Sequence, residues 1–103
     1  MQINKMLKQA QKLQEDMVKA QKELAAQTVE GTAGAGAIAV TANGDGQIVR
    51  VTIDPEVLKA QDIGMLEDLV LTAANQALEG VRKMTNDRMG KLTGGLAIPG
   101  LNF

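Results

Sequence analysis

From Ile3 to Leu24 the apolar residues Ile3, Met6, Ala10, Leu13, Met17, Ala20 and Leu24 are separated alternately by three and four positions. That spacing keeps them on one side of an α-helix, as a heptad seam does. The stretch holds no Gly or Pro and is rich in Lys, Gln, Glu, Ala, Leu and Met. Intrinsic propensity therefore agrees with the pattern, and a long amphipathic helix is predicted. At Thr28 the texture changes to Val, Thr, Ala and Gly, and the segments 36–42 and 47–53 alternate with period two. Ile38, Val40 and Ala42 would share one face of a strand, and Val49, Val51 and Ile53 one face of the next. Between them Asn43-Gly44-Asp45-Gly46 offers residues that tolerate positive φ, as a tight hairpin requires. A weaker strand over Thr28 to Ala33 would complete a three-stranded antiparallel meander.

Asp54-Pro55 has the chemistry of an N-cap followed by proline at the first helical position, opening a short helix to about Lys59. A second start at Asp62 leads into a long helix ending near Leu92. Three glycines and Pro99 between Thr93 and Phe103 predict an irregular tail. The expected organisation is one α+β domain over residues 1–92 followed by that tail.

The last helix has more apolar surface than one neighbour can cover. On a wheel, Ile63, Leu66, Leu69, Val70, Leu71, Ala73, Ala74, Ala77, Leu78 and Val81 span an arc of about 200°, roughly twice what an ordinary surface helix needs. A sheet covers one side. A second copy of the chain is the simplest cover for the other, which places Leu66, Val70, Ala73, Ala77 and Val81 at a homodimer interface. The alternative is a complete monomer in which the first helix folds back as a hairpin partner.

Composition narrows the chemistry. The chain has no Cys, His, Trp or Tyr and one aromatic residue, Phe103, which excludes disulfides, Cys or His zinc sites, thiol nucleophiles and imidazole bases. No run approaches the roughly 18 apolar residues of a membrane span, and the N-terminus lacks the apolar core of a signal peptide; a cytoplasmic protein is expected. Eleven basic residues against twelve acidic ones give a net charge of −1, so a polyanion partner requires charge to be segregated along the chain.

Segregation is visible in the first helix. Lys5, Lys8, Lys12, Lys19 and Lys22 fall within an arc of about 100° opposite the apolar seam. Pairing of Lys12 with Asp16 and of Glu15 with Lys19 would turn that stripe into an ordinary solvated face. No acidic residue precedes Glu15, however, and cations near a helix N-terminus oppose the macrodipole. Lys5, Lys8 and Lys12 are therefore the leading candidates for phosphate contacts. Arg82, Lys83, Arg88 and Lys91, opposed by Glu79 and Asp87, form a second basic region, in which Arg88 and Lys91 also serve simply as helix-ending cations.

Gly31, Gly34 and Gly36 do not have the spacing of a dinucleotide or phosphate loop and are read as turn glycines. Glu67 and Asp68 are adjacent, project in different helical directions and make no acid/base pair. Neither a short recognition helix for base readout nor aromatic platforms for single strands are present. Backbone binding to duplex DNA, driven by counterion release, is what remains.

The order of certain strings is similar to a known family. Leu7-Lys8-Gln9-Ala10-Gln11-Lys12-Leu13-Gln14-Glu15-Asp16-Met17, Glu30-Gly31 through Gly36, Val51-Thr52-Ile53-Asp54-Pro55, Met65-Leu66-Glu67-Asp68-Leu69-Val70 and Ala73-Ala74-Asn75-Gln76-Ala77 together resemble the YbaB/EbfC family. The resemblance implies an α-β-β-β-α arrangement, a homodimer whose helices project like tweezers, and nucleoid-associated DNA binding attributed to both terminal helices. By position it reaches Lys8, Lys12 and the pair Arg88-Met89. Glu79-Gly80 stand where relatives carry basic residues. The combined expectation is a non-catalytic homodimer at the nucleoid, without cofactor or metal, contacting duplex DNA through Lys5, Lys8, Lys12, Lys19, Arg82, Lys83, Arg88 and Lys91. The alternative is a protein-interaction adaptor that uses the helix seam or the apolar tail Leu96 to Phe103 to dock on a partner of DNA repair.

Overall fold

Helix α1, Gln2–Ala26, opens the chain in a computed structural model that describes residues 2–92. The tail expected over 93–103 lies outside the described residues. Strands β1 (Thr28–Ala33), β2 (Ile38–Asn43) and β3 (Ile48–Ile53) follow, then the 3₁₀ helix η1 (Pro55–Ala60) and helix α2 (Ile63–Leu92). The strands form an antiparallel sheet in the order β1-β2-β3. The predicted α-β-β-β-α sequence of elements, with its short intervening helix, is thus present.

Local chemistry sets the boundaries. Asn43 holds the β2–β3 turn: its Oδ1 accepts from the N–H groups of Asp45 at 3.0 Å and Gln47 at 3.1 Å, and Gly46 adopts φ +80°. Gly34 and Gly36, at φ +62° and +89°, make the β1–β2 turn. Asp54 caps η1 by accepting from Glu56 N–H at 3.0 Å, with Pro55 in the first turn. The η1 helix ends at Gln61 in a left-handed conformation, and Asp62 then starts α2 by accepting from Met65 N–H at 3.0 Å.

The alternation predicted for β2 is realised as a core. Ile38, Val40 and Ala42 are fully buried and pack against Ala73, Ala77 and Val81 of α2. Gly31, read from the sequence as a turn residue, lies instead inside β1, where it is paired with Val40 and buried. A Cβ there would overlap the carbonyl oxygen of Ala73 and lie 2.5 Å from Ala77 N. Residue 31 thus lets the α2 backbone press directly on the strand. Gln76 Oε1 accepts from Thr32 N–H, adding a direct bond between the helix and β1.

A smaller core joins the helices: Ala20, Leu24 and Met89 are buried, with Met17, Met84 and Leu92 packed around them. Gly44 N–H donates to Gln27 O at 3.1 Å, and a Cβ on Gly44 would overlap the Leu24 carbonyl. The end of α1 is thereby seated on the β2–β3 turn. With Met17 grouped beside Leu92 and Glu23 bonded to Arg88, α1 runs antiparallel to α2. Its residues 2–15 are all exposed, so its first half projects past Leu92, in a chain extending 71 Å by 23 and 16 Å.

Two sequence expectations are corrected here. Ala73, Ala77 and Val81, expected between two copies, are buried against β1 and β2 of their own chain, and Leu66 and Val70 are half-buried beside them. A helical wheel measures the width of an apolar arc but does not say which part meets the sheet. The β3 face also differs. The register shifts at Thr41/Ala42 so that Ile48, not Val49, opposes Ala42, and the bulge takes Val49 out of the alternation with Val51 and Ile53. All six β3 residues are exposed. Val51 and Ile53 pair with Val40 and Ile38 and so share their sheet face, yet Val51 remains 48% exposed because α2 covers β1 and β2 and stops short of β3.

Candidate nucleic-acid interface

Lys5, Lys8 and Lys12 are exposed along the projecting half of α1, spread over about 10 Å of helix axis. No carboxylate occurs between residues 2 and 14. The pairs that would have neutralised the stripe, Lys12 with Asp16 and Glu15 with Lys19, do not form. The ion pairs among the described residues are Lys59–Glu56, Arg82–Glu79 and Arg88–Glu23. Lys19 continues the stripe, exposed and unbonded, as does Lys22. The arm carries three formal positive charges, Lys5, Lys8 and Lys12, on a chain whose net charge is −1.

The second basic region is compensated. Arg82 donates to Glu79 Oε2 at 2.5 Å one turn away. Arg88, half-buried, donates to Glu23 Oε2 at 2.6 Å across the two helices. Lys83, Arg88 and Lys91 line, with Glu23 and Asp87, a groove of about 470 Å³ between α1 and α2, so its walls carry both signs. The fold brings Lys83, Arg88 and Lys91 together but keeps them apart from Lys5, Lys8 and Lys12, which lie beyond the end of α2. Electropositive character is concentrated on the arm.

Comparison with known proteins gives this arrangement a context. Residues 1–96 match the model of the YbaB/EbfC DNA-binding family. The chain belongs to that family. Among its relatives, a protein of Pelotomaculum thermopropionicum named "Nucleoid-associated protein" is 50% identical over 99 residues, which is 96% of this chain and 94% of the relative. A protein of the same name from Clostridium kluyveri is 52% identical over 99 residues, 96% of this chain and 87% of the relative. The crystal structure of an uncharacterized protein from Helicobacter pylori has the same fold, with a TM-score of 0.78 at 17% identity, covering 91% of this chain and 99% of that one. No helix among the described residues is long and apolar enough to cross a membrane.

For this YbaB/EbfC member, the residue that sequence reasoning passed over is Glu23. Its carboxylate accepts from Arg88 and ties α1 to α2. Their separation of 65 positions leaves no local signal. The role of Gly31 did have one, since an isolated glycine within a strand pattern marks close backbone approach.

Proposed function

We propose that this chain is a nucleoid-associated protein that binds duplex DNA through backbone phosphates, with little sequence preference and as a homodimer. The observation that carries the reading is the projecting first half of α1, whose three lysines face solvent with no carboxylate to answer them. Such a surface fits phosphates and releases their counterions, and it lacks the short, cap-anchored recognition helix that presents side chains to base edges. Lys5, Lys8 and Lys12 lead the interface and Lys19 extends it. Lys83 and Lys91 are secondary, and Arg82 and Arg88 contribute least because each already holds a carboxylate. A titration of random-sequence duplex across salt concentrations tests this. Log affinity should fall linearly with log salt, equally for unrelated sequences; a flat salt response, or strong preference for one sequence, overturns it.

The dimer rests on uncovered apolar surface. Val51 and Ile53, on the part of the sheet that α2 leaves open, are 48% and 37% exposed, and Leu71 on α2 is 60% exposed, so each is only partly covered within the chain. Leu66 and Val70, half-buried at the start of α2, can still contribute their exposed portions. Because Val51 is already half in solvent, Val51→Glu should leave the single chain folded while placing a charge in the interface. Light scattering at micromolar concentration is expected to give a dimer for the parent and a folded monomer for the variant. A variant dimer of unchanged affinity would remove β3 from the interface.

A further inference from the structure

The apolar seam of α1 does not stop where α2 stops. Met17, Ala20 and Leu24 are packed with Met84, Met89 and Leu92, but the same seam continues through Leu13, Ala10, Met6 and Ile3. There Met6 is 66% and Ile3 68% exposed. A half-helix of this length is marginal in water without tertiary contacts, and an apolar stripe along it is the surface by which such contacts are made.

The sequence after Leu92 has the matching chemistry. Residues 93–103, Thr93 to Phe103, contain no charged side chain and include Leu96, Ile98, Leu101 and Phe103. Gly94, Gly95 and Pro99 oppose continuation of α2. Because α1 and α2 are antiparallel, a chain leaving Leu92 beside Met17 and keeping its direction travels toward Ile3 without reversing. From Met17 to Ile3 α1 rises about 21 Å; eleven residues span up to about 36 Å when extended.

We infer that the segment Thr93–Phe103 lies along the Ile3–Leu13 seam of its own α1, where it completes the cover that α2 begins. The seam and the lysine stripe are about 150° apart around the helix, so the segment shields the apolar side of the arm and leaves Lys5, Lys8 and Lys12 open. This depends on the seam alone and stands whether or not the arm binds DNA.

Since the chain has no cysteine, cysteine pairs report on it cleanly. In the full-length protein, Met6→Cys with Leu101→Cys is expected to form a disulfide within one chain under mild oxidation, seen as a cross-linked monomer in denaturing gels and by mass. Gln11→Cys with Leu101→Cys, on the far side of the helix, should link at least tenfold more slowly. Equal rates, or a link formed only between chains, overturn the inference, the latter placing a second copy on the seam. As an independent measurement, deletion of residues 93–103 should speed amide exchange over residues 3–13 at least tenfold and leave 17–26 unchanged. Unaltered exchange at 3–13 would equally overturn it.

Discussion

Replacing Lys5, Lys8 and Lys12 together by Gln is expected to weaken binding to random-sequence duplex by about two orders of magnitude at ~0.1 M salt. Each lysine that neutralises a phosphate contributes about 0.9 to the slope of log affinity against log salt, so the slope should flatten by about 2.7 for each arm engaged. Gln is a helix former comparable with Lys, and all three side chains are exposed. Circular dichroism and oligomeric state should therefore be those of the parent. Arg82→Gln provides the contrast. Its guanidinium is bonded to Glu79, and its removal should change affinity by less than a factor of about three, since an exposed pair contributes little in either direction. Equal losses for the triple variant and for Arg82→Gln would show that charge at large, and not the arm, holds the DNA.

The second large effect concerns stability. Gly31→Ala would place a methyl group against the carbonyl oxygen of Ala73 and 2.5 Å from Ala77 N. Both obstacles are helix backbone, so no side chain can swing away, and α2 must lift from β1 and disturb the packing of Ala73 and Ala77 on Ile38 and Val40. The cost of such overpacking is about 3 kcal/mol. For a domain of this size that lowers Tm by roughly 12–24 °C, which thermal unfolding followed by circular dichroism will measure. An unchanged Tm would mean that helix and strand are not in backbone contact at residue 31.

Much of this fold can be read from period and punctuation. The three-four spacing from Ile3 to Leu24, the Asn-Gly-Asp-Gly turn and the Asp54 and Asp62 caps are local, and each acts through neighbours in sequence. What escaped the sequence is what depends on distant partners. The apolar arc of α2 announced that more than one surface had to be covered, but only the packed chain shows Ala73, Ala77 and Val81 taken by the sheet and Leu71 left over. The bulge beside Val49 is a matter of strand register, which composition does not encode. For the candidate interface, the absence of acids before Glu15 was visible directly. The neutralisation of Arg88 by Glu23 was not, because it arises from the way two helices meet.

The seating of α1 has a mechanical consequence. Anchored by the Ala20, Leu24 and Met89 core, the Leu24 contact with Gly44 and the bond between Glu23 and Arg88, the helix is a lever whose stretch from Asp16 to Ile3 reaches about 20 Å beyond that root. Pivoting by about 10° at the root moves the tip by about 3.5 Å, close to the axial step between phosphates on one strand of B-DNA. If the arm engages duplex DNA as proposed, a lever of that reach would follow grooves of different width with small adjustments at its base, and the geometry of the joint would itself favour indifference to sequence.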